Sequence, residues 1–533
     1  MKSQFLIIFV MSLLIFDANS LNILFTSELA SPSHHIFNSA LARALAARGH
    51  NVTFISADLV KNPPENLHYI HMEYQYQMMD DFMPGVDVAT FFKEFINMGR
   101  LTNMIMMSGF GYEVCTELTK NKGFSVIMNY PDDFKFDLMI YDYTMLPCML
   151  GLLHKFNYPP LVAISAFCNP FTTADIFGGD KLGLTVKPHY MLSYDSDMNI
   201  LQRLDNGFLN FFESLIRKYY SIPAIDKQMK AMYGSDLPYV GDIEKRAQIA
   251  LVNSHPAIEF AESLPPNVIE IGGMQIAEPK PVEKELDEFL NNGKKGSVLM
   301  SMGSNFKSEY LDESVIISIV EAFRQLPDYN FIWKFENTDK IKELPKNLMI
   351  RPWLSQNDIL AHKNVKAFIS HSGMLSTLES TWHGVPIVGI PLFMDQIRNL
   401  KKSENAGVAV KVDLQTITTE KLKSALLEVL ENPKYTHNMK LRSELFKDQP
   451  QKPMDRAVWW CEYVMRNPKA THLRPNEFNF GLLGSHFWDI QLISIVLIVL
   501  AFKVLRCVCR KVCCKICSKF GKCKKSDDKK KKE

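Results

Sequence analysis

The sequence predicts an α/β protein built from two Rossmann-like, doubly wound domains facing across a cleft, with a C-terminal transmembrane helix. Three observations carry that prediction. A strand–loop–helix–strand pattern opens the chain at Asn22. A second series of the same kind begins at Lys295, after a linker bearing prolines and charges. Near the other end, Phe487 to Leu505 is almost wholly apolar. At 533 residues the chain is too long for one compact domain, and 47% hydrophobic residues support sizeable cores. A net charge of +2 gives no global preference for nucleic acid.

Taken in order, Met1 to Ser20 combines Lys2, the apolar run FLIIFVMSLLIF and the small-residue site Ala18-Asn19-Ser20. That is the pattern of a cleaved secretory signal peptide, with Leu21 as the mature start. NILFTS (22–27) reads as a strand, ELASPSHH as a loop, IFNSALARALAAR as a helix ended by Gly49, and NVTFIS (51–56) as a second strand. The unit has no GxGxxG, so a nicotinamide cofactor is unsupported. Asn51-Val52-Thr53 is an N-glycosylation sequon at the start of a strand expected to be buried, and is read as unused. FDLMIYD (136–142) is a further apolar strand with Asp142 at its exit. Residues 74–110 and 145–243 are irregular and rich in Met, Phe and Tyr.

AQIALVNS (247–254) and VIEIGG (268–273) close the first domain, and MQIAEPKPVEK is the linker. KGSVLMSMGS (295–304) opens the second, followed by the amphipathic helix ESVIISIVEAFRQLP and the strand FIWKF. The most informative stretch is Trp353 to Gln396. VKAFIS is a strand, His371-Ser372-Gly373 follows at once, MLSTLESTWH is a helix closed by Gly384, VPIVGIP is another strand, and Asp395-Gln396 sits just past it. Polar residues thus stand at both strand exits, where open α/β sheets bind ligands. The helix start near Gly373 offers free N–H groups and a positive dipole end to an anion such as a diphosphate. AVKVD (409–413) is one more strand.

This block resembles the signature of the UDP-glycosyltransferase family, which includes the UDP-glucuronosyltransferases, and the resemblance spans nearly the whole mature chain. It implies the glycosyltransferase-B architecture, with 21–280 binding the acceptor and 281–466, including the closing helices, binding the UDP-sugar. A juxtamembrane segment (467–486), the transmembrane helix (487–505) and a basic cytosolic tail (506–533) follow. It also implies site roles. Trp353 stacks on the uracil; Gln356 and Glu379 take the ribose hydroxyls; Ser304, His371, Ser372 and Gly373 hold the diphosphate; Asp395 and Gln396 bind the donor sugar. These residue types suit those tasks: an indole face fits a flat base, and carboxylates and amides fit vicinal hydroxyls. The family's general base lies in a Ser-His pair that maps to Ser33-His34, which makes His34 the base and Asp142 its partner carboxylate. The imidazole would remove the acceptor hydroxyl's proton while the carboxylate fixes its tautomer. The oxygen would then attack the anomeric carbon opposite UDP, with inversion. No metal and no bound cofactor are expected, the UDP-sugar (UDP-glucose or UDP-glucuronate) being a co-substrate. The chain departs from the family pattern twice: Ser372 replaces the middle glycine of His-Gly-Gly, and Leu375 replaces an Asn that touches phosphate in many vertebrate members. The Ser-His-His loop and the Gly-His-Asn-Val-Thr strand are more similar to invertebrate members, which often use UDP-glucose.

The expected acceptor is a small lipophilic molecule, with the Met- and Phe-rich segments as its pocket, in a role such as detoxification or hormone conjugation. The alternative is a non-catalytic partner subunit that heterodimerises with active relatives; a homo- or hetero-oligomer is left open. The stretch 487–505 is long enough to cross a bilayer once. Lys503 to Glu533 carries thirteen Lys or Arg against three acids, which keeps the tail cytosolic and the body lumenal in a type I arrangement. The end, Lys529-Lys530-Lys531-Lys532-Glu533, matches a dilysine retrieval signal and places the protein in the endoplasmic reticulum membrane. Six of the ten cysteines lie in the tail and suit palmitoylation rather than a metal. The four in the body, Cys115, Cys148, Cys168 and Cys461, have no pairing readable from spacing.

Overall fold

A computed structural model describes residues 20–81, 88–144, 147–170, 172–178, 187–341, 343–475 and 488–519. The signal-peptide stretch before Ser20, most of the juxtamembrane segment and the terminal lysines lie outside the described residues. The chain forms a compact body through Arg474 and a separate unit from Pro475 onward.

Within the body are two sheets. The first contains β1 (Asn22–Ser27), β2 (Asn51–Ser56), β3 (Leu67–His71), β4 (Leu138–Asp142), β5 (Leu161–Ser165), β6 (Ile249–Val252) and β7 (Val268–Glu270). Their order is β3-β2-β1-β4-β5-β6-β7, with every pairing parallel. Crossover helices cover both faces of such a sheet, which is why β4 (LMIYD) and β5 (LVAIS) are buried at every position. The second sheet contains β8 (Gly296–Ser301), β9 (Tyr329–Lys334), β10 (Leu348–Arg351), β11 (Val365–Ser370), β12 (Ile387–Gly389) and β13 (Ala409–Lys411), in the parallel order β10-β9-β8-β11-β12-β13. Each order reverses once, between β1 and β4 in the first sheet and between β8 and β11 in the second. At a reversal the two connecting segments leave on opposite sides, opening a crevice at the strands' carboxyl ends.

The first helix corrects one expectation. Ser33, His34 and His35 are not in a loop, because the helix runs Pro32–Ala47 and takes all three into its first turn. Ser31 is extended at the N-cap and Pro32 follows it. Proline there loses no hydrogen bond and already has a helical φ, so it starts the helix rather than delaying it. The Asn51 sequon begins a strand that is buried as expected, with Asn51 itself exposed at its start.

The helix Pro453–Arg466 returns to the first sheet. Ala457, Val458, Cys461 and Val464 are buried in one cluster with Ile23, Phe25, Phe37 and Leu41. Cys115 and Cys148 form a disulfide, whereas Cys168 and Cys461 are buried free thiols. In the second unit the helix Trp488–Lys519 runs 32 residues, and its Ile490–Cys513 stretch is long and apolar enough to cross a membrane. It continues beyond the expected end at Leu505 because no Gly or Pro interrupts it before Lys519.

Candidate active site at two sheet switch points

The first switch point holds a histidine and an aspartate. β1 leads into the helix Pro32–Ala47, which carries His34, and Asp142 ends β4 beside it. His34 Nδ1 lies 2.9 Å from Asp142 Oδ2, and both side chains are 4% exposed. Asp142 is held by two further donors. Asn38 donates to the same oxygen at 2.8 Å and also to Ser27 Oγ at 2.9 Å, and the Thr144 N–H donates to Asp142 Oδ1 at 3.0 Å. Burial alone would raise the Asp142 carboxyl; His34 and these donors outweigh it and hold the carboxyl below its ordinary value. An ionised Asp142 facing Nδ1 fixes the proton there and leaves Nε2 as the acceptor. Phe167 stands edge-on to the imidazole at 5.2 Å.

His35 faces elsewhere. Its Nδ1 is 2.9 Å from Ser56 Oγ, and its ring stacks on Phe54 at 5.8 Å. Burial lowers its pKa, so it is a neutral, packed residue. Glu28, on the loop after β1, is a buried carboxyl that sequence reasoning passed over. Burial raises it to about 8, with the nearby Asp142 adding to the effect.

The second switch point gathers the other singled-out residues. His371 follows β11, and its ring sits between two glycines. A Cβ on Gly303 would come within 2.6 Å of the ring, and one on Gly373 within 2.4 Å. Both glycines are therefore required by the imidazole between them. Burial, aided by Lys334, lowers His371 to about 4, and its buried Nδ1 has no hydrogen-bond partner. Gly373 is the extended N-cap of the helix Met374–His383, which closes at Gly384 in the left-handed region (φ 73°). An orphan ring nitrogen beside an open helix start fits a diphosphate.

Around that centre the groups are linked. Gln356 Nε2 donates to Glu379 Oε2 at 2.6 Å and to Ser376 Oγ at 3.1 Å. Burial raises Glu379 to about 7 despite that bond. Trp353 is 63% exposed, an uncommon state for an indole, with Lys334 Nζ 5.4 Å from its ring centre. Lys334, which the sequence did not single out, also donates to the Gly303 carbonyl at 2.9 Å. Ser304 is the next residue on that loop and is partly buried. Asp395 and Gln396 start the helix that follows β12. Asn399 donates to Asp395 Oδ2 at 2.6 Å and to the Ser372 carbonyl at 3.3 Å, tying the two ends of the patch together. Burial raises the Asp395 carboxyl. The Gln396 side-chain oxygen accepts from the Leu392 N–H at 2.8 Å.

The two departures from the pattern point away from this patch. Ser372 has φ 64°, its hydroxyl is buried without a partner, and a Cβ on Gly389 would lie 2.9 Å from it. Leu375 packs against the core of the first sheet and the helix Pro453–Arg466.

A cavity of about 560 Å³ is lined by neighbours of these groups, although His34, Asp142 and His371 are not among its lining residues. Thr144 and Phe167 line it on one side and Met394, Asp395 and Arg398 on another; Met104 and Met107 contribute apolar wall. Polar pairs are built into that wall, among them the Lys187–Glu262 ion pair at 3.1 Å and the His189–Glu213 contact at 2.7 Å. Next to the cavity, Arg398 reaches Cys168 and Lys402 pairs with Glu259, so buried charges cross from one half of the body to the other. Among the described residues no group of His, Cys, Asp and Glu is arranged to hold a metal ion.

A family model described as UDP-glucoronosyl and UDP-glucosyl transferase matches residues 27–526. The chain is 32% identical to UDP-glucosyltransferase 2 of Dactylopius coccus over 89% of its own length and 90% of that protein's. It is 30% identical to human UDP-glucuronosyltransferase 2B15, covering 86% of this chain and 87% of that one. It is 27% identical to human 2-hydroxyacylsphingosine 1-beta-galactosyltransferase over 92% and 89% of the two chains. Among solved structures, the glycosyltransferase VinC in complex with DTDP aligns with a TM-score of 0.55 at 14% identity, covering 84% of this chain and 100% of that one. The calicheamicin glycosyltransferase CalG4 aligns equally well, at 13% identity, over 84% and 99%. These structures support the fold.

Proposed function

The chain belongs to the UDP-glucuronosyl and UDP-glucosyl transferase family and is a UDP-sugar-dependent glycosyltransferase; on that premise we propose an inverting transfer of glucose or glucuronic acid to a hydroxyl of a small lipophilic acceptor. The observation that carries the mechanism is the buried His34–Asp142 contact, whose neighbours Thr144 and Phe167 line the cavity. His34 Nε2 accepts the acceptor's proton as its oxygen attacks the anomeric carbon, and Asp142 stabilises the imidazolium that forms. The bond to the β-phosphate oxygen breaks on the opposite face, and UDP leaves with the electron pair. The helix start at Gly373, the His371 ring and Ser304 stabilise the departing charge. Trp353 stacks on uracil, Gln356 and Glu379 bind ribose, and Asp395 and Gln396 hold the sugar. The intact dyad favours this reading over a non-catalytic partner subunit.

Residues 21–280 are the acceptor half in this proposal and 281–466 the donor half. The apolar helix crosses the endoplasmic reticulum membrane once, with the body lumenal and the tail cytosolic. The Cys115–Cys148 disulfide supports an oxidising compartment for the body. The deciding experiment measures UDP release by microsomes carrying the chain, using a panel of phenols with UDP-glucose and UDP-glucuronate in parallel. One donor should dominate. No release with either donor beyond microsomes that lack the chain refutes the proposed reaction.

A further inference from the structure

The helix Gln396–Asn405 has Asp395 as its N-cap and Arg398 three residues on, so the two side chains leave the same face. Both line the cavity, with Met394; every other lining residue lies before residue 280, in the proposed acceptor half. Arg398 is a buried cation with too few partners, its side chain only 3% exposed. Nη2 donates to the Cys168 sulfur. Nη1 reaches the Pro188 carbonyl at 3.5 Å, the limit of a hydrogen bond, and Nε is buried with no partner. Among the described residues Glu259 is the one carboxylate it reaches, at 3.7 Å, and Lys402 already pairs with the other oxygen of that group. Burial would raise Glu259, but Lys402 and Arg398 outweigh it and hold it at about 2, so it supplies one negative charge to two cations. Cys168 supplies none, because burial pushes its thiol up. Among the described lining residues the other cations have carboxylates of their own, Lys187 with Glu262 and Arg217 with Glu244. Two more buried polar atoms in the lining have no partner, Asn169 Oδ1 and Thr172 Oγ1.

We propose that Arg398 anchors a carboxylate on the acceptor, so that the favoured acceptors are lipophilic hydroxy acids held by the acid at Arg398 with a hydroxyl left for His34. A buried guanidinium short of counter-charge is destabilising. A ligand carboxylate accepting from Nε and the remaining guanidinium N–H groups balances the charge and gains charge-assisted bonds. The Thr172 hydroxyl is a further free donor in the same cavity. The path to the dyad is short in the chain: Cys168 follows Phe167, whose ring stands edge-on to His34 at 5.2 Å. Met104, Met107 and Phe167 offer apolar wall to the rest of the molecule. The carboxylate is assigned to the acceptor and not to the donor sugar because Cys168, Pro188 and Glu259, the groups around the guanidinium, all belong to the acceptor half. The hydroxyl's fate rests on the glycosyl transfer proposed above; the anion site does not.

The test gives the full chain para-hydroxybenzoate and para-hydroxycinnamate, each against its methyl ester, which keeps the hydroxyl and loses the charge. By kcat/KM each acid should be preferred about ten- to hundredfold. Arg398→Met should erase that preference, and Arg398→Lys should keep part of it. Equal use of acid and ester by the parent overturns the anchor with no variant needed. So does a preference that survives in Arg398→Met, or one lost instead in Lys187→Met, where the cation removed already has a carboxylate. Running UDP-glucose and UDP-glucuronate in parallel separates the two sources of a carboxylate. If Arg398→Met changes the choice of donor and leaves the acid-to-ester ratio unmoved, the carboxylate is the sugar's and the assignment fails. The product should survive mild alkali, because the phenol carries the sugar; an alkali-labile ester would mean that the acid itself was the nucleophile, and overturns the anchor. Turnover of no acceptor with either donor refutes the proposed reaction, and calorimetry then decides the anion site separately. There the acid should bind the parent about tenfold or more tighter than its ester, and Arg398→Met should remove the difference; no difference in the parent overturns the site.

Discussion

Replacing Ser372 with glycine should stabilise the protein and leave donor binding unchanged. Ser372 occupies the left-handed region at φ 64°, which costs an L-residue ~1–2 kcal/mol. Its hydroxyl is buried with no partner, a further penalty of ~1–3 kcal/mol. Glycine removes both and returns ~0.4–1 kcal/mol through its looser unfolded state. The backbone contacts survive the change: the Ser372 N–H donates to Ser370 Oγ at 3.0 Å, and its carbonyl accepts from Asn399. The net expectation is a gain of at least about 1 kcal/mol, or roughly 2–4 °C in Tm for a domain-sized unit. Thermal melts of the parent, Ser372→Gly and Ser372→Ala decide it. Alanine keeps the strained φ and loses only the hydroxyl, so it should fall between the other two. A lower Tm for Ser372→Gly refutes the strain argument. A rise of about threefold or more in donor KM, the equivalent of one lost hydrogen bond, shows instead that the hydroxyl reaches the donor.

Four further outcomes are expected. His34→Ala should lower kcat by about 10²–10⁴-fold with UDP affinity intact, whereas His35→Ala should lower Tm and leave the turnover of folded protein near the parent's; the reverse pattern would move the base to His35. Trp353→Ala should weaken UDP binding about ten- to hundredfold, the ~1–3 kcal/mol of a base stack, and unchanged affinity in calorimetry removes the indole from the site. Glu379 sits at about 7 because it is buried, and ribose hydroxyls prefer its ionised form. Affinity for a UDP-hexose should therefore rise with pH up to about 7 and then level off, with proton release on binding, and Glu379→Gln should flatten the profile. In the free protein the same raised value means that stability falls as pH climbs from the ordinary carboxylate range through 7. Leu375→Asn should lower Tm by placing an amide in an apolar contact without improving donor KM; a lower KM would mean that the amide turns toward the diphosphate.

Much of the architecture was legible because strand and turn signals fall together. NILFTS, NVTFIS and VKAFIS are apolar runs ended by turn chemistry, and each is a strand over the expected residues. The short strands β3, β5 and β10 were not assigned. LHYIH carries two histidines and lies at an edge, and LVAIS is hidden in an irregular region where helix and strand share the same apolar residues. The start of the first helix was misplaced because Pro32 reads as a loop residue until its N-cap is seen. Asn38, Thr144 and Lys334 could not be found from sequence. Asn38 and Lys334 act through contacts with residues distant in the chain, Asp142 and Gly303, and Thr144 acts through a turn bond back to Asp142. The Cys115–Cys148 pairing is nonlocal in the same way.

The same distinction explains how the site tolerates its two departures from the pattern. In the proposed site the diphosphate is held by backbone amides at a helix start and by one imidazole, and the chain path sets both. Gly303 and Gly373 cannot vary, because a Cβ at either would displace the His371 ring. Ser372 can vary because its side chain faces Gly389, and Leu375 because its side chain faces the first sheet's core. What position 372 must supply is a left-handed φ, which serine supplies at an energetic cost. What position 375 must supply is a helical N–H, which any residue but proline can provide. The His-Gly-Gly pattern therefore mixes two kinds of constraint: space around a ring, which is strict, and a backbone angle, which can be paid for elsewhere. The chain keeps the first and relaxes the second.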